Sequence, residues 1–552
     1  MIFKSCILIM AAIGLLFFMP GCEAEEAVEY EINLAAEPEE GGELSGAGVY
    51  EKDEHDEVTV EAVPAQGYVF EKWSEDGDEV SRDKTYSFAL EEDRELTAVF
   101  AEEEGYEVSV KIKDDAMGEI KGAGTYPEGE RVTLTAEPAT GYQFMYWLED
   151  GMMTGEREPT YDLVVESDAE VEAVFAVDRI MPPEFVFDLY HRLADPEENT
   201  FMSPVSIYLA LSLVYNSAEG ETREEIAELL QVADMDLEEF NRKCLAFRKS
   251  LEGEEDGVKV SIADSVWLEE GFPVHDQYLE TLENFHRAEA RTADFADPET
   301  TAMINQWVSD QTEGMIDGIF EDNQPVPAEY FVLINAIYFM GAWTEDFDPE
   351  ETEDKDFTLP DDSTVEVPIM HRESEEMTDY QYLSEEDFEA VRIPYGGVET
   401  HGQETRMAMY VFVPDNGLDA FYEQLNAGSW DEWMNGFSSR DGTVGLPRFE
   451  MKYEKTLNEV LKDMGMERAF DDRADFSGMS PEGEQLLLDQ VLHEAVIEVD
   501  EKGTEAAAVT AALGLGDAPE PFEVIADRPF FFVIRDDHAE SILFAGALTD
   551  PR

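Results

Sequence analysis

Serine and histidine are the residues of this sequence whose types could form a nucleophile and its base. Ser203, Ser206 and His493 are the candidates, because a serine hydroxyl becomes nucleophilic when a histidine takes its proton. A hydrolase of the elbow type places its serine in a Gly-x-Ser-x-Gly turn. Ser203 instead precedes Pro204, the pattern of a helix N-cap followed by proline at the first helical position. The sequence therefore favours a structural role over catalysis, and it does not predict an enzyme.

Motifs for metal or phosphate chemistry are missing from the sequence. It has no His-Glu-x-x-His, no cluster of histidines and no Gly-x-x-x-x-Gly-Lys-Ser/Thr loop. Among 130 Asp and Glu residues, groups of carboxylates that could bind calcium arise by chance. Cys6 and Cys22 lie in the N-terminal segment, which leaves Cys244 alone, and a lone cysteine is usually a small buried side chain. We therefore expect neither a metal site nor a cofactor.

A run of small side chains lies near the C-terminal end of the chain. Residues 498–510 are Glu-Val-Asp-Glu-Lys-Gly-Thr-Glu-Ala-Ala-Ala-Val-Thr, and a glycine-rich stretch with little charge follows to Gly516. A strand that ends in the ordinary way meets a short turn and pairs with its neighbour. This run offers no bulky side chain to a core. Its composition alone predicts an exposed segment, and its role must come from the residues around it.

The charge balance of the chain is strongly acidic. Its 552 residues include 36 Lys and Arg against 130 Asp and Glu, a formal net charge of −94. A field of that sign repels nucleic acid and anionic lipid, so neither is an expected partner. The carboxylates are spread over the whole length, which is typical of adaptation to high salt, because salt screens the self-repulsion of a folded chain. We therefore expect the protein of a halophilic prokaryote, and the length predicts two to four domains.

The N-terminal segment has the features of a targeting sequence. Lys4 precedes an apolar stretch, Ile7–Met19, which is short for a membrane span, and Gly21-Cys22 and acidic residues follow. Residues 1–22 resemble a bacterial lipoprotein signal peptide. The resemblance implies cleavage before Cys22 and a lipid on its sulfur, and the alternative is an ordinary secretory signal that is cut nearby. Both interpretations predict a protein outside the cytoplasm.

Two internal repeats follow the targeting segment. Gly67-Tyr68 recurs as Gly141-Tyr142, and Trp73 recurs as Trp147. Alternating apolar and polar residues with glycine and proline between them predict two small all-β modules, in which the two tryptophans fill the cores. The shared pattern resembles the divergent internalin-type B repeats of bacterial surface proteins, which implies a spacer or an adhesive stalk. We place the two modules at 27–101 and 105–177.

The third region, residues 180–552, mixes helical and strand patterns. Pro204–Asn216 is apolar on all sides and predicts a buried helix, and Phe331–Phe339 predicts a buried strand. Helical patterns come first and strand patterns dominate later, which predicts an α+β fold with helices packed on a large central sheet. Further predicted elements are the helices Glu184–Leu193 and Glu221–Leu230, the second capped by Thr222, and the strands Val258–Leu268, Met407–Val413, Leu486–Val499 and Phe530–Ile534.

Motifs along this third region match one known family in the family's own order. They are Asn199–Leu211, Ile304–Val308 with Thr312 and Ile316, Val332–Trp343, Leu446–Phe449, Gly465-Met466 with Phe470, Asp475–Met479, Arg528–Arg535 and Ile542–Gly546. On these motifs, residues 180–552 resemble a serpin. The resemblance implies the serpin fold, in which helices pack on a large central sheet and a reactive loop is exposed.

The resemblance makes the small-residue run the hinge of the reactive loop. The residues that match the family's hinge motif are Glu501, Gly503, Thr504, Glu505, Ala506, Ala507, Ala508 and Thr510. After a protease cuts the loop, residues from Thr504 onward would add to the central sheet as a new strand. Alternate residues of a strand face the same side, so Thr504, Ala506, Ala508 and Thr510 would face inward, and all are small. This composition favours an inhibitor over a non-inhibitory member of the family.

The scissile bond has more than one candidate. Counting the usual loop length from Gly503 places it at Asp517-Ala518, and counting back from Arg528 shifts it by one residue, to Ala518. Leu515-Gly516 is the candidate if chemistry decides, because leucine suits chymotrypsin- or subtilisin-like pockets, whereas aspartate would suit an acid-preferring protease. No Lys or Arg lies between Gly503 and Arg528, which argues against a trypsin-like target.

The resemblance also assigns a set of polar residues beneath the central strands. Ser203, Ser206, Asn335 and His493 match a cluster that serpins bury there, and we call these four residues the latch. Buried polar groups must satisfy one another's hydrogen bonds, so the latch must open before a strand can insert. Trp343 matches an aromatic residue at the point where the loop inserts, and we expect it to pack there.

These features predict a monomeric inhibitor of serine proteases that is secreted or tethered to the cell surface. The target would attack the loop, and insertion of the loop would hold it as a covalent acyl-enzyme. A subtilisin- or chymotrypsin-like protease is the favoured partner, and membrane contact is expected only through a lipid on Cys22. The alternative is a non-inhibitory binding or adhesion protein that carries the serpin fold on a repeat stalk. Inhibition of cysteine proteases stays open.

Overall fold

The computed structural model describes residues 28–552 except 66, 103–104, 252–253, 256, 322, 374–379, 397–404 and 504–520. Its contacts divide the chain into two compact units. The first unit reaches residue 107 and includes 125–130 and 165–167, and the second contains 108–124, 131–164 and 168–552. Most of the second repeat therefore belongs to the same unit as the large domain. Among the described residues, no helix is both long and apolar enough to cross a membrane.

The first repeat is built of strands, as predicted. They are β1 (Glu29–Glu37), β2 (Gly42–Ser45), β3 (Gly48–Glu51), β4 (Glu57–Pro64), β5 (Tyr68–Glu75), β6 (Asp78–Ser81), β7 (Thr85–Ala89) and β8 (Arg94–Glu102). They pair in the orders β3-β1-β8-β5-β6 and β2-β4-β7. Val58, Val60 and Ala62 of β4 are buried while their neighbours are exposed, because one face of the strand packs on the core. Trp73 is fully buried in that core.

The second repeat has the same topology. Its strands are β9 (Gly105–Lys111), β10 (Gly118–Lys121), β11 (Gly124–Pro127), β12 (Arg131–Pro138), β13 (Tyr142–Glu149), β14 (Met152–Met153), β15 (Thr160–Val164) and β16 (Ala169–Val177). They pair in the orders β9-β16-β13-β14 and β10-β12-β15, which repeat the pairings of β1, β8, β5 and β6 and of β2, β4 and β7. Trp147 is fully buried, like its counterpart in the first repeat.

The helices of the large domain begin directly after the second repeat. They are α1 (Pro183–Leu193), α2 (Pro204–Ser217), α3 (Gly220–Leu229), α4 (Leu237–Leu251), α5 (Asp276–Thr281), α6 (Pro298–Gln311), α7 (Leu418–Tyr422), α8 (Ala427–Gly436) and α9 (Asn458–Asp463). Every residue of α2 is buried, and the Ser206 N–H donates to the Ser203 hydroxyl at 3.2 Å, which caps the helix. The predicted Thr222 cap of α3 was wrong. Thr222 lies inside the helix, buried, and its hydroxyl accepts a hydrogen bond from the Asp475 N–H at 3.0 Å instead.

The strands of the large domain form three groups. They are β17 (Thr200–Met202), β18 (Glu254–Glu255), β19 (Val258–Glu269), β20 (Glu289–Ala293), β21 (Phe331–Gly341), β22 (Glu353–Thr358), β23 (Thr364–Glu373), β24 (Gln381–Ser384), β25 (Phe388–Tyr395), β26 (Met407–Pro414), β27 (Ser438–Ser439), β28 (Gly442–Pro447), β29 (Phe449–Thr456), β30 (Leu488–Val499), β31 (Phe522–Ile525), β32 (Phe530–Asp536) and β33 (Ser541–Leu548). The central sheet has the order β18-β19-β21-β30-β29, with β20 beside β19. The other two have the orders β17-β33-β32-β26-β25-β24-β27 and β22-β23-β28-β31. The predicted α+β class is confirmed.

The middle of the central sheet is a parallel pair of buried strands, β21 and β30, and we call this pair the seam. Leu333 and Ile337 of β21 belong to the main core together with the residues of α2, and Ile334 belongs to a second core together with Trp307 of α6. Burial on both faces explains the continuous apolar pattern of β21. The neighbouring strands β19 and β29 run antiparallel to the seam strands that they pair with.

Candidate functional site

The predicted hinge begins just after β30 ends, so it adjoins the seam. Glu501 and Gly503 of the predicted hinge lie among the described residues. The predicted residues that lie outside the described ones are Thr504, Glu505, Ala506, Ala507, Ala508, Thr510, Leu515, Gly516, Asp517, Ala518 and, at the N-terminus, Cys22.

The pairing of the seam stops before its strands do. The register runs from Phe331 opposite Leu488 to Tyr338 opposite Val496. The last residues of the two strands, 339–341 and 497–499, lie beyond this ladder although both strands continue. The two seam strands therefore pair with each other along their middle, and beyond Tyr338 and Val496 they pair with their outer neighbours, β19 and β29.

The latch residues on the two seam strands face each other directly. Asn335 lies opposite His493 in the register, and the His493 Nδ1 is 2.7 Å from the Asn335 Oδ1. The Ser203 backbone N–H donates to the His493 Nε2 at 3.1 Å. Because a backbone N–H can only donate, Nε2 is the acceptor and Nδ1 carries the proton that it donates to Asn335. The geometry thus requires a neutral imidazole in one tautomer.

Burial and hydrogen bonding agree on the charge of this histidine. His493 is fully buried, and burial lowers its pKa to about 3. Protonation would add a second N–H that points at the Ser203 N–H. The latch therefore contains an uncharged histidine at neutral pH.

The remaining latch bonds join the seam to α2 and β33. The Asn335 amide donates to the Ser206 hydroxyl, and the Ser203 hydroxyl donates to the Leu543 carbonyl at 2.6 Å. Ser203 meets His493 through its backbone N–H rather than through its hydroxyl, and both serines are fully buried. The structure brings all four latch residues together in a network that holds strands and a helix, and their geometry is unlike that of a nucleophile and its base.

Two charged residues extend this network, and neither was predicted from the sequence to belong to it. Asp264 of β19 lies opposite Asn335, and its Oδ1 accepts from the Asn335 amide at 2.6 Å. Arg248 of α4 forms an ion pair with Asp264, and both side chains are buried. A signal was available, since Asp264 is a carboxylate in the middle of a predicted buried strand and a buried charge requires a partner.

A second set of contacts holds the first residues of the predicted hinge, next to the end of the seam. The Glu501 carboxylate accepts from the Thr352 hydroxyl at 2.5 Å and from the Arg448 guanidinium at 2.7 Å. Burial of Glu501 favours the protonated form, but these hydrogen bonds outweigh it and hold the pKa of the carboxyl below its usual value. We call Glu501, Thr352 and Arg448 the anchor. Only Glu501 of these three was named from the sequence.

The turn after Glu501 is shaped around Trp343. The Trp343 indole N–H donates to the Asp500 carbonyl at 2.9 Å, and its ring stacks on Tyr395 with 4.3 Å between the ring centroids. Gly503 has φ +71°, and a Cβ there would lie 2.4 Å from the Gly341 carbonyl oxygen and 2.5 Å from the Trp343 nitrogen. A side chain at 503 would therefore clash with backbone as well as strain it.

A new strand could insert between β21 and β30 only if these two strands moved apart. Neighbouring strands lie about 4.8 Å apart, so two strands that flank an inserted one lie about 10 Å apart. Asn335 and His493 could not keep their hydrogen bond across that distance. A strand that enters the seam from the hinge end would first pass between the last residues of β21 and β30, beyond their shared ladder, and it would then have to open the latch.

We searched the described part of the chain for a metal site and for a reactive thiol. No group of three or more His, Cys, Asp or Glu suited to hold a metal ion occurs there. Cys244 of α4 is fully buried, and burial raises the pKa of its thiol to about 12. The thiol is therefore protonated, as expected of a side chain that packs in a core.

Comparisons with known proteins cover the same regions. The family model described as Serpin (serine protease inhibitor) matches residues 182–551, and the model of the divergent InlB B-repeat domain matches residues 32–104 and 108–179. A serpin-like protein of Thermococcus kodakarensis is 35% identical over 377 residues, which are 67% of this chain and 84% of that protein.

Solved structures with the same fold include a thermophilic serpin and a thyroxine-binding protein. The native state of tengpin, a thermophilic serpin, has 29% identity and a TM-score of 0.59, and the match covers 67% of this chain and 92% of tengpin. Human thyroxine-binding globulin in complex with its hormone has 27% identity and a TM-score of 0.59, and the match covers 67% of this chain and 97% of the globulin.

Proposed function

This chain belongs to the serpin family, and we propose that it inhibits a serine protease by acting as a suicide substrate. The observation that carries the proposal is the position of the hinge. β30 ends just before it, and the contacts of Glu501 and Gly503 hold its first residues at the end of the seam where the β21–β30 ladder stops. The following residues, 504–510, place small side chains at every position that would face inward from an inserted strand.

The chemistry of trapping would begin as ordinary proteolysis. The serine of the target attacks the carbonyl carbon of the scissile bond, the C–N bond breaks, and an ester joins the loop to the protease. The leaving amine takes a proton and becomes the start of the segment that leads to β31. If residues from 504 onward enter the seam before water hydrolyses the ester, the protease stays covalently bound.

We propose a subtilisin- or chymotrypsin-like target outside the cytoplasm. Residues 504–527 contain no Lys or Arg, and Leu515 suits an apolar pocket, with Asp517-Ala518 as the alternative bond. The lipoprotein-like segment that ends at Cys22 and the acidic composition support a place at the surface of a halophilic prokaryote. The B-repeat matches support attachment of the inhibitor to that surface.

Incubation with subtilisin- and chymotrypsin-like proteases in molar salt tests the proposal. We expect a covalent complex that survives SDS, together with a released C-terminal peptide. Mass spectrometry of that peptide identifies the scissile bond, because its first residue is the residue after the cut. Trypsin-like proteases should give no complex.

The hinge assignment is tested by two arginine substitutions, one at a position that would face inward from the inserted strand and one at a position that would face outward. Thr504→Arg would bury a charge when the strand inserts, which costs several kcal/mol, so the yield of covalent complex should fall about tenfold or more and cleaved protein should accumulate. Ala507→Arg faces outward in the same strand and should leave the yield near that of the natural chain. Equal yields for both variants would contradict the assignment.

Binding without inhibition is the second candidate, and the likeness to thyroxine-binding globulin favours it, because that protein binds thyroxine with the same fold. Clean cleavage of the loop by every protease that cuts it, with no covalent complex, would support this candidate and contradict inhibition.

A further inference from the structure

The second repeat is seated on helix α4 of the large domain. Its turn at 139–142 closes through the Tyr142 N–H, which donates to the Ala139 carbonyl at 3.0 Å, and Gly141 within it has φ +92°. A Cβ at Gly141 would lie 2.8 Å from the Cβ of Ala246 on α4 and 3.3 Å from the Cα of Lys243. The absence of a side chain at Gly141 is thus what lets the turn approach the helix.

Further contacts fix the same junction. The Asp178 N–H donates to the Gly141 carbonyl at 2.8 Å, and its carboxylate pairs with the Lys243 ammonium at 3.1 Å. Tyr142 packs against the core of the large domain, and the link after the repeat is part of that core, since Val177 and Met181 are buried in it. The second repeat is therefore built into the large domain rather than joined to it by an exposed linker.

The same helix carries the charged partner of the latch. Arg248 follows Ala246 by two residues on α4 and pairs with Asp264, and the Asp264 carboxylate accepts from the Asn335 amide. Because Asp264 and Ser206 both take hydrogen bonds from the amide nitrogen, the amide oxygen of Asn335 is directed at His493. The ion pair thus positions the acceptor on which the bond across the seam depends.

We propose that docking of the second repeat on α4 stabilises the closed seam through Arg248, Asp264 and Asn335. These three are positioning residues, and the two states that they bias are the closed seam and the opened one. When the repeat is displaced, α4 loses a neighbour, Asp264 is held less firmly, and the amide of Asn335 can turn away from His493. The effect on protease trapping rests on the proposed function, whereas the coupling itself does not.

Hydrogen–deuterium exchange of the full chain in molar salt tests the proposal. Gly141→Ala adds the Cβ that collides with Ala246, and we expect the amides of β21 and β30 around Asn335 and His493 to exchange about tenfold faster, within the range of about 5- to 150-fold that is typical of coupled sites. Gly67→Ala is the matched control. Gly67 occupies the same turn in the first repeat with φ +83°, and a Cβ there would have no described atom within 4 Å.

A second variant disturbs the junction from the other side. Ala246→Leu enlarges the buried α4 residue that faces Gly141, and the seam amides should again exchange faster while the glycine turn keeps its natural sequence. Faster exchange in α4 with unchanged exchange at the seam, in either variant, would overturn the proposal. Unchanged exchange in both α4 and the seam would also overturn it, because it would mean that contact with the turn does not stabilise the helix.

The two proposals can fail separately. A seam that responds to Gly141→Ala in a chain that traps no protease keeps the coupling and removes the inhibitory function. If the chain traps proteases but the seam amides exchange equally fast with and without Gly141→Ala, the inhibitory function is kept and the coupling is contradicted. If inhibition and coupling both hold, Gly141→Ala should raise the rate of loop insertion after cleavage, and Gly67→Ala should not.

Discussion

Two sets of contacts of different chemistry lie at the seam and at the predicted hinge that follows it. The latch, in the middle, bonds Asn335 to an uncharged His493, and both side chains are buried. The anchor, at the hinge end, pairs the Glu501 carboxylate with the Arg448 guanidinium, whose side chain is 44% exposed. Buried hydrogen bonds between uncharged groups do not depend on salt, whereas an ion pair that reaches solvent is screened by it.

This difference is informative in a chain with a net charge of −94. If the protein works in high salt, as its composition predicts, it meets concentrations that weaken exposed ion pairs. The contact that would have to break in the proposed insertion is the uncharged one, and the contact that only holds the start of the predicted hinge is the charged one. The barrier to opening the seam is therefore placed where salt has little effect on it.

The largest effect is expected from removing the latch. Asn335→Ala leaves the His493 N–H without an acceptor and removes the amide that donates to the buried Asp264 carboxylate, so the free energy of unfolding should fall by about 3 kcal/mol. Urea unfolding of the intact chain in molar salt measures it. Asn435→Ala removes an exposed amide of α8 as a control and should change the midpoint little. Similar small effects of both variants would contradict the latch.

The next effect separates the latch from the anchor by pH. The pKa of His493 is about 3 in the fold against about 6.5 in the unfolded chain, so the unfolded state binds the proton first as pH falls. Stability should drop from about pH 6.5 downward until the folded pKa near 3 is reached, with about 2 kcal/mol lost from this residue between pH 7 and pH 5.

His493→Gln isolates that contribution, because glutamine keeps a donor and an acceptor but does not titrate. Buried His286, whose pKa is also lowered to about 3, titrates alike in both proteins and cancels in the comparison. The variant should therefore lose less stability than the natural chain over this range in urea unfolding at a series of pH values. Parallel pH profiles would mean that the imidazole is not held neutral by the fold.

The smallest effect is expected at the anchor, and salt should erase most of it. Arg448→Gln removes the charged partner of Glu501 and should cost about 1 kcal/mol in about 0.15 M salt, and less than half of that in about 1 M salt, where the Debye length falls from about 8 Å to about 3 Å. The cost of Asn335→Ala should not change between these conditions. Arg473→Gln, which removes an exposed pair with Asp471, serves as the surface control.

Much of the fold could be predicted from local pattern, and the missed residues share one property. The buried helix α2, the buried strand β21 and the tryptophans of the two repeats follow from periodicity and composition, because each signal lies within one element. Asp264, Arg448 and Thr352 were missed because their partners come from distant parts of the chain. Thr222 was misassigned for the same reason, since its hydroxyl serves a loop near Asp475 rather than its own helix.

The buried link between the second repeat and the large domain bears on how this protein can be divided for study. A fragment that starts at residue 180 would follow the boundary marked by the repeats, yet it would uncover the α4 surface at Ala246 and remove Val177 from the core. Such a fragment would expose apolar surface to water and be prone to aggregate. A fragment that includes the second repeat keeps this α4 surface buried, as it is in the full chain.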